Sequence, residues 1–458
     1  MAPSHNSAHH PQDKATDAYV FGYSLVVEES TRRLQTNTVA PNATQAPTNQ
    51  LLHYDAPATP ATTDVVRPNV DTLYTQCWID LTAGPMVLEV PVMDADRYWI
   101  MEMLDAWSNV VGDPNALDPQ ATTAGTDPNT GAQVYSYALT GPGWSGELPA
   151  GVHQLAMPTN VIWLLGRIEI HNTSPSEIST VVGYQNLMRL LPVTAWPDNG
   201  SYVPPNGTYD PNLPTTPPSD QVNGMSGPEF FAELAALLPT TPLNPPDKKM
   251  SATLAALGVY PHDPSRLPSD KELEAARDLG LELIKNHQAS EPVNGWTFTR
   301  TDIGYYGTHY LQRAYIAAIG LGANLPQDAL YPSYKAVAAD STGAPYSYTL
   351  TFPEGQLPPV DGFWSLTAYD SNSFLVANDA NIYAIGHYAA PVADATGATT
   401  LYVQAAPPVD AQLAQTNWLP IPASGNFSVT LRMYGPITDE ILPNWPAALV
   451  QTQDGSAA

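Results

Sequence analysis

Two hydrophobic rhythms alternate along the chain. Residues 13–35, DKATDAYVFGYSLVVEESTRRLQ, space Ala15, Ala18, Tyr19, Gly22 and Val26 at helical intervals and predict a leading helix. From about 65 to 170 the period shortens to two in MVLEVPV, RYWIMEML, QVYSYAL and VIWLLGRIEI, with Gly/Pro/Asp clusters between the runs. That is the pattern of short antiparallel strands. The middle turns helical again. Ser174, Ser226 and Ser269 each precede a glutamate by three residues, the spacing of a capping box, and open EISTVVGYQNLMRLL, EFFAELAALL and ELEAARDLGLELIKNH. Pro192 and Pro239 are expected to stop the first two helices. A last helix, THYLQRAYIAAIGLG, ends on a glycine suited to a left-handed cap.

After residue 326 the strand rhythm returns in YSYTLTF, GFWSLTAYD, LYVQAA and NFSVTLRMY. The expected fold is mainly β with a helical middle segment and two antiparallel β-sandwich lobes of jelly-roll type. Its parts are a disordered N-terminus (1–12), an N-terminal lobe with its leading helix (13–171), a helical segment (172–325) and a C-terminal lobe (326–458). Within the helical segment, residues 192–225 form a Pro-rich loop of the length usual for a lid, an arm or a partner contact. No tandem repeat of fixed period is visible; RYWIMEMLD and FWSLTAYD share only an aromatic lead and a closing Asp.

At 458 residues the chain is long enough for two or three packed units. Its net charge of −27 comes from a shortage of bases, with 17 Lys and Arg against 44 Asp and Glu. With no basic stripe, nucleic acid and anionic membrane are not expected partners. The apolar run VIWLL is far too short to span a bilayer. The single Cys77 excludes an internal disulfide framework and, lying in an alternating strand, reads as a small buried thiol. No signal peptide is visible, although the lysine-poor, Thr/Pro-rich composition leans towards export.

Hydrolase elbows, phosphate loops and dinucleotide fingerprints are absent, so no organic cofactor is expected. Asp and Asn at strand ends offer oxygen ligands for a structural calcium, and no spacing specifies one. Four groups of residues carry candidate chemistry. In RPNVDTLY, an extended backbone puts Arg67, Asn69 and Asp71 on one face, with Tyr74 beyond. They either grip a polar ligand or brace the sheet. In DIGYYGTHYLQRA, His309 and Arg313 stand one helical turn apart among Tyr305, Tyr306 and Tyr310. They line either a pocket or a domain interface. GFWSLTAYD sets Tyr369 and Phe363 on one face and Trp364 on the other. Trp418 and Arg432 suggest ring stacking on a sugar, although a Trp beside Pro is more often a packing plug.

Taken together, RPNVDTLYTQCWIDLTAGPMVLEVP and RYWIMEMLDAWSN resemble the domain of unknown function 1254. YGTHYLQRA, GLGAN, FPEGQLPP, GFWSLTAYD, NWLPIP and FSVTLRMYGP resemble its C-terminal partner, the domain of unknown function 1214. The resemblance implies a two-lobed, largely β fold with a helical segment, often a homo-oligomer and commonly exported; it implies no reaction. This chain departs from the pattern at His309, where relatives carry an acid, at Asn381-Ile-Tyr383 and in DATGATT.

Two functions fit these residues. In one, an enzyme of hydrolase or lyase type takes a small polar or oxyanion-bearing substrate between the lobes. His309 would be its general base, Asp71 would orient that base, and Arg67 and Arg313 would bind oxyanions. In the other, a cell-exterior protein binds a polysaccharide or other polymer on Trp364, Trp418 and neighbouring rings, with no turnover.

Overall fold

The computed structural model describes residues 11–62, 67–121, 123–197, 201–289, 292–387, 389–440 and 449–452. Most of the expected disordered N-terminus lies outside the described residues, and Pro11 already begins the first helix. That helix, α1 (Pro11–Gln35), is buried nearly all round: Ala15, Ala18, Tyr19, Phe21 and Val26 are fully enclosed. A helix so enclosed needs no polar face.

The N-terminal lobe has two packed sheets. Its strands are β1 (Leu52–His53), β2 (Thr72–Asp80), β3 (Met86–Pro91), β4 (Trp99–Asp105), β5 (Val110–Gly112), β6 (Gly125–Thr126), β7 (Gln133–Thr140), β8 (His153–Ala156), β9 (Val161–Glu169) and β10 (Arg189–Pro192). One sheet runs β1-β2-β9-β4-β5; the other runs β10-β3-β7-β6, with β8 parallel to β7. Leu88, Met101, Tyr137 and Leu164 meet between them.

Two expectations fail here. The helix α2 (Pro175–Leu187) stops before Pro192, because Met188 turns extended and the next four residues pair with Met86–Glu89 as an edge strand. A proline is tolerated at such an edge. The Ser174 capping box is also only half formed. Ser174 accepts from the Glu177 amide, but the Glu177 carboxylate is taken by Arg97 at 2.6 Å and by the His171 amide at 2.7 Å. A charge-assisted bond to arginine outcompetes the return bond to the cap.

The helical unit comprises α3 (Pro218–Gly224), α4 (Gly227–Leu237), α5 (Lys248–Ala256), α6 (Asp270–Lys285) and α7 (Tyr310–Gly320), all gathered with α1 around one core. Ser226 with Glu229 and Ser269 with Glu272 form complete capping boxes on α4 and α6. The Pro-rich loop is pinned along the segment after α1, through Asn37 to Asp210 and the Gly207 amide to the Val39 carbonyl.

The C-terminal lobe contains β11 (Trp296–Thr297), β12 (Ala329–Leu330), β13 (Ser333–Val337), β14 (Ser347–Phe352), β15 (Trp364–Tyr369), β16 (Ala384–Gly386), β17 (Thr399–Val403), β18 (Trp418–Leu419), β19 (Asn426–Tyr434) and β20 (Val450–Thr452). Its sheets are β11-β13-β19-β15-β16, with β12 also on β19, and β18-β17-β14-β20. This order repeats that of the first lobe. β13, β19, β15 and β16 stand where β2, β9, β4 and β5 stand, and β20-β14-β17-β18 follows β10-β3-β7-β8, down to the parallel last pair.

Register agrees as well. Trp99 pairs with Ile168 and Ile100 with Arg167; Trp364 pairs with Met433 and Ser365 with Arg432. The turns after β4 and β15 match: Ser108 and Ser373 both donate to the carbonyl three residues back, at φ +67° and +66°. The likeness between RYWIMEMLD and FWSLTAYD is therefore one trace of a whole repeated lobe.

Candidate functional site

The two lobes meet through β2, β4 and β9 on one side and β13, β15 and β19 on the other, and the repeat makes this boundary reciprocal. Asp71 follows the loop that enters β2; its carbonyl accepts from Ile170, as the Asp328 carbonyl accepts from Gly435 in the second lobe. Asp71 accepts from Ser365 Oγ at 2.5 Å and lies in the field of Arg432. Its counterpart Asp328 takes the Tyr98 hydroxyl on its carbonyl and lies in the field of Arg167. Each lobe thus presents an aspartate to the arginine of the other.

This boundary holds most of the sequence-derived candidates. Arg67 does not continue an extended face; its φ is +53°, and its guanidinium donates to Ser333 and Thr430 at 3.0 Å. Asn69 donates to the hydroxyls of Thr72 and Tyr434. Arg432 donates to Thr367, to Tyr369 and to the Arg67 carbonyl. Arg67 and Asp71 are therefore both braces, but against the opposite lobe and not against each other. Tyr369 closes the set by donating to the Pro68 carbonyl.

Beside it lies a second buried network that the sequence reading missed. Arg167 donates to Glu102 at 3.0 Å and stands 5.4 Å over the Tyr74 ring. Burial pushes the Glu102 carboxyl up to about 7, against the pull of Arg167. Burial and the nearby Asp113 raise Asp328 to about 9. Burial also raises the Tyr74 phenol, but Arg167, Asn69 and Arg432 outweigh it and hold Tyr74 below the usual range. The available signal was a lone acid in WIMEML and a lone arginine in VIWLLGRIEI, both at positions that a two-sided apolar strand would bury.

A hollow that holds His309 lies away from this boundary. A space of about 720 Å³ opens within the helical unit, lined by α1, α5, the end of α6 and the start of α7. His309 is the N-cap of α7, with its side chain 57% exposed, and its Nδ1 is 3.3 Å from Asp302 Oδ2. His287 and Gln312, joined at 2.6 Å, line the same hollow. Tyr310 also lines it and is tied to Asp247 at 2.9 Å.

His309 and Arg313 do not share a face, because one caps the helix while the other turns inward. Arg313 is buried among the rings of Phe21, Trp107 and Tyr310, 5.1–5.3 Å from each, and donates to the Phe21 carbonyl. Asp302, not Asp71, is the carboxylate beside His309. Neither Asp71, Arg67 nor Arg313 lines the hollow. Tyr305 is exposed and Tyr306 buried.

Trp364 and Trp418 offer no open ring faces. Trp364 is 6% exposed and packs with Phe352 in the core of its lobe; Trp418 is 8% exposed and donates to the Gln404 carbonyl. Alternation along β15 explains the first: Ser365, Thr367 and Tyr369 point to the lobe boundary, so Trp364 points to the sandwich interior. Cys77 is buried, as expected, and burial pushes its thiol up. Among the described residues no three His, Cys, Asp or Glu side chains are placed to hold a metal ion, and no helix is long and apolar enough to cross a membrane.

Comparison with known families finds a match to the protein of unknown function DUF1254 over residues 48–192 and to DUF1214 over residues 328–438. These spans cover the first lobe and the second lobe apart from β11 and β20, and leave the helical unit between them. The structure of the VPA0106 protein from Vibrio parahaemolyticus is similar, with a TM-score of 0.68 and 20% identity over 97% of this chain and all of that one, which shows a shared fold. An uncharacterised protein from Burkholderia cenocepacia aligns at 12% identity over 98% of this chain and 92% of that one, with a TM-score of 0.46. No curated protein matches.

Proposed function

We propose that this chain, which belongs to the family of unknown function built from a DUF1254 segment followed by a DUF1214 segment, is a hydrolase for a small uncharged polar substrate held in the hollow at the start of α7. The observation that carries the reading is the His309–Asp302 pair, 3.3 Å apart on the wall of that hollow. Asp302 at Nδ1 orients the ring and leaves Nε2 to take a proton from water, the arrangement that general-base catalysis needs.

The same residues open a helix. Among the described residues no side chain caps α7 by a hydrogen bond, so the amides of its first turn are available to an oxygen that gains negative charge. They do the work that sequence reasoning gave to Arg67 and Arg313, whose guanidinium groups are committed elsewhere. Lys249 is the lysine on the lining, set against Asp17 and Asp302, which favours an uncharged substrate over an anion.

The test is a panel of small neutral esters, amides and glycosides assayed with wild type, His309→Ala and Asp302→Asn. The polymer-binding reading has less support, since Trp364 and Trp418 are packed inside their lobe.

A further inference from the structure

Three residues along the chain from His309, Gln312 lines the same hollow, although it is only 8% exposed. Its carboxamide is fixed from one side. His287 Nε2 lies 2.6 Å from Gln312 Oε1, and an amide oxygen only accepts, so the ring donates. His287 is itself set edge-on to Tyr315, with ring centroids 5.4 Å apart. The carboxamide nitrogen remains, a group with two N–H donors. Gln312 Nε2 has no acceptor among the described residues. A buried donor without an acceptor is costly, so an oxygen delivered from the hollow is favoured.

The surroundings define which oxygen suits it. Helical positions three apart stand about 5–6 Å from each other at Cβ, so one small molecule can reach both His309 and Gln312. Val20, Met250, Leu283 and Leu311 share the lining and favour a short apolar body between polar ends. Asp17 and Asp302 outnumber Lys249 there and oppose a carboxylate as the acceptor.

We propose that Gln312 is a specificity-determining residue of the His309 hollow, and that the substrate is a short, uncharged acyl compound bearing a second oxygen, an oxo or hydroxyl group that accepts from Gln312 Nε2. This deepens, and rests on, the reading of that hollow as a hydrolase site. Gln312 positions the acyl chain and moves no proton. In the hydrolysis of such an ester the oxygen of water bonds to the acyl carbon and His309 takes its proton. The bond to the alkoxy oxygen then breaks, and that proton leaves with the alcohol.

Methyl 3-oxobutanoate and methyl butanoate test this, since they differ only at the second oxygen. Binding is measured by ligand-observed NMR on His309→Ala, so that neither ester is consumed. The oxo ester loses more hydration on entry, so a preference for it reports a bond to the protein. That preference is expected to be roughly tenfold. Adding Gln312→Leu or Gln312→Glu should erase it; the second variant is isosteric and keeps an oxygen for His287. In the protein with His309 intact, Gln312→Leu should raise KM for the oxo ester roughly tenfold, with kcat within about twofold and methyl butanoate unaffected. Equal binding of the two esters, or a preference that survives both Gln312 variants, would overturn the proposal. A Gln312-dependent preference without wild-type turnover would support this recognition and remove the hydrolase reading alone, whereas turnover without the preference would remove the role of Gln312 alone.

Discussion

Arg432 donates from Nη2 to the main-chain carbonyl of Arg67 at 3.1 Å, tying the last long strand of the second lobe to the entry of the first. The same guanidinium holds Thr367 and Tyr369, and its charge faces Asp71. Removing one member of a buried charge network leaves the others unpaired, at a cost of about 3–5 kcal/mol. Arg432→Met is therefore expected to destabilise the fold by about that much in urea unfolding. Ser365→Ala, which removes one hydrogen bond to Asp71, should cost about 1–2 kcal/mol. A loss below about 1 kcal/mol for Arg432→Met would show that the lobes are held by apolar contacts alone.

The buried carboxyls give stability a defined pH dependence. Glu102 titrates near 7 in the fold and near its ordinary lower value when unfolded. Between those values the folded chain keeps a proton that the unfolded chain has lost. Stability therefore falls as pH rises through that window and levels off above about 7. Asp328, raised to about 9, extends the decline. Glu102→Gln should flatten the slope of the urea midpoint between pH 5 and 7, with on the order of 2–3 kcal/mol at stake. Asp328→Asn should flatten it over the whole interval from the ordinary carboxylate range up to about pH 9. Identical slopes in wild type and both variants would contradict this assignment.

The packed tryptophans predict a structural phenotype. Trp364→Ala and Trp418→Ala each empty a large core volume, and about 3–5 kcal/mol of stability should be lost in thermal or urea unfolding. Unchanged stability together with lost glycan binding would restore these rings to a recognition surface.

Much of this architecture is legible in the sequence because alternation and capping act locally. The strands around Trp99 and Trp364 and the boxes at Ser226 and Ser269 follow from neighbouring residues alone. The repeat is harder to see. Asp71-Thr-Leu-Tyr74 and Asp328-Ala-Leu-Tyr331 occupy matching places, as do Arg167 and Arg432, but loops of unequal length destroy any fixed period. The partners of Arg67 and Asp71 lie in the other lobe, more than 250 residues away, and local spacing says nothing about them. The same limit hid the pairing of His309. Asp302 precedes it by seven residues in an irregular turn with φ +55°, outside any helical or strand period.

The central claim is that the His309–Asp302 pair works on a substrate in the hollow at the start of α7, and the most direct measurement is the rate of the three proteins on the neutral ester, amide and glycoside panel. Wild type is expected to turn over at least one compound, His309→Ala to slow it by about 10²–10⁴-fold, and Asp302→Asn to slow it less while all three unfold at the same urea concentration. Wild-type and His309→Ala rates that coincide on every compound would contradict it.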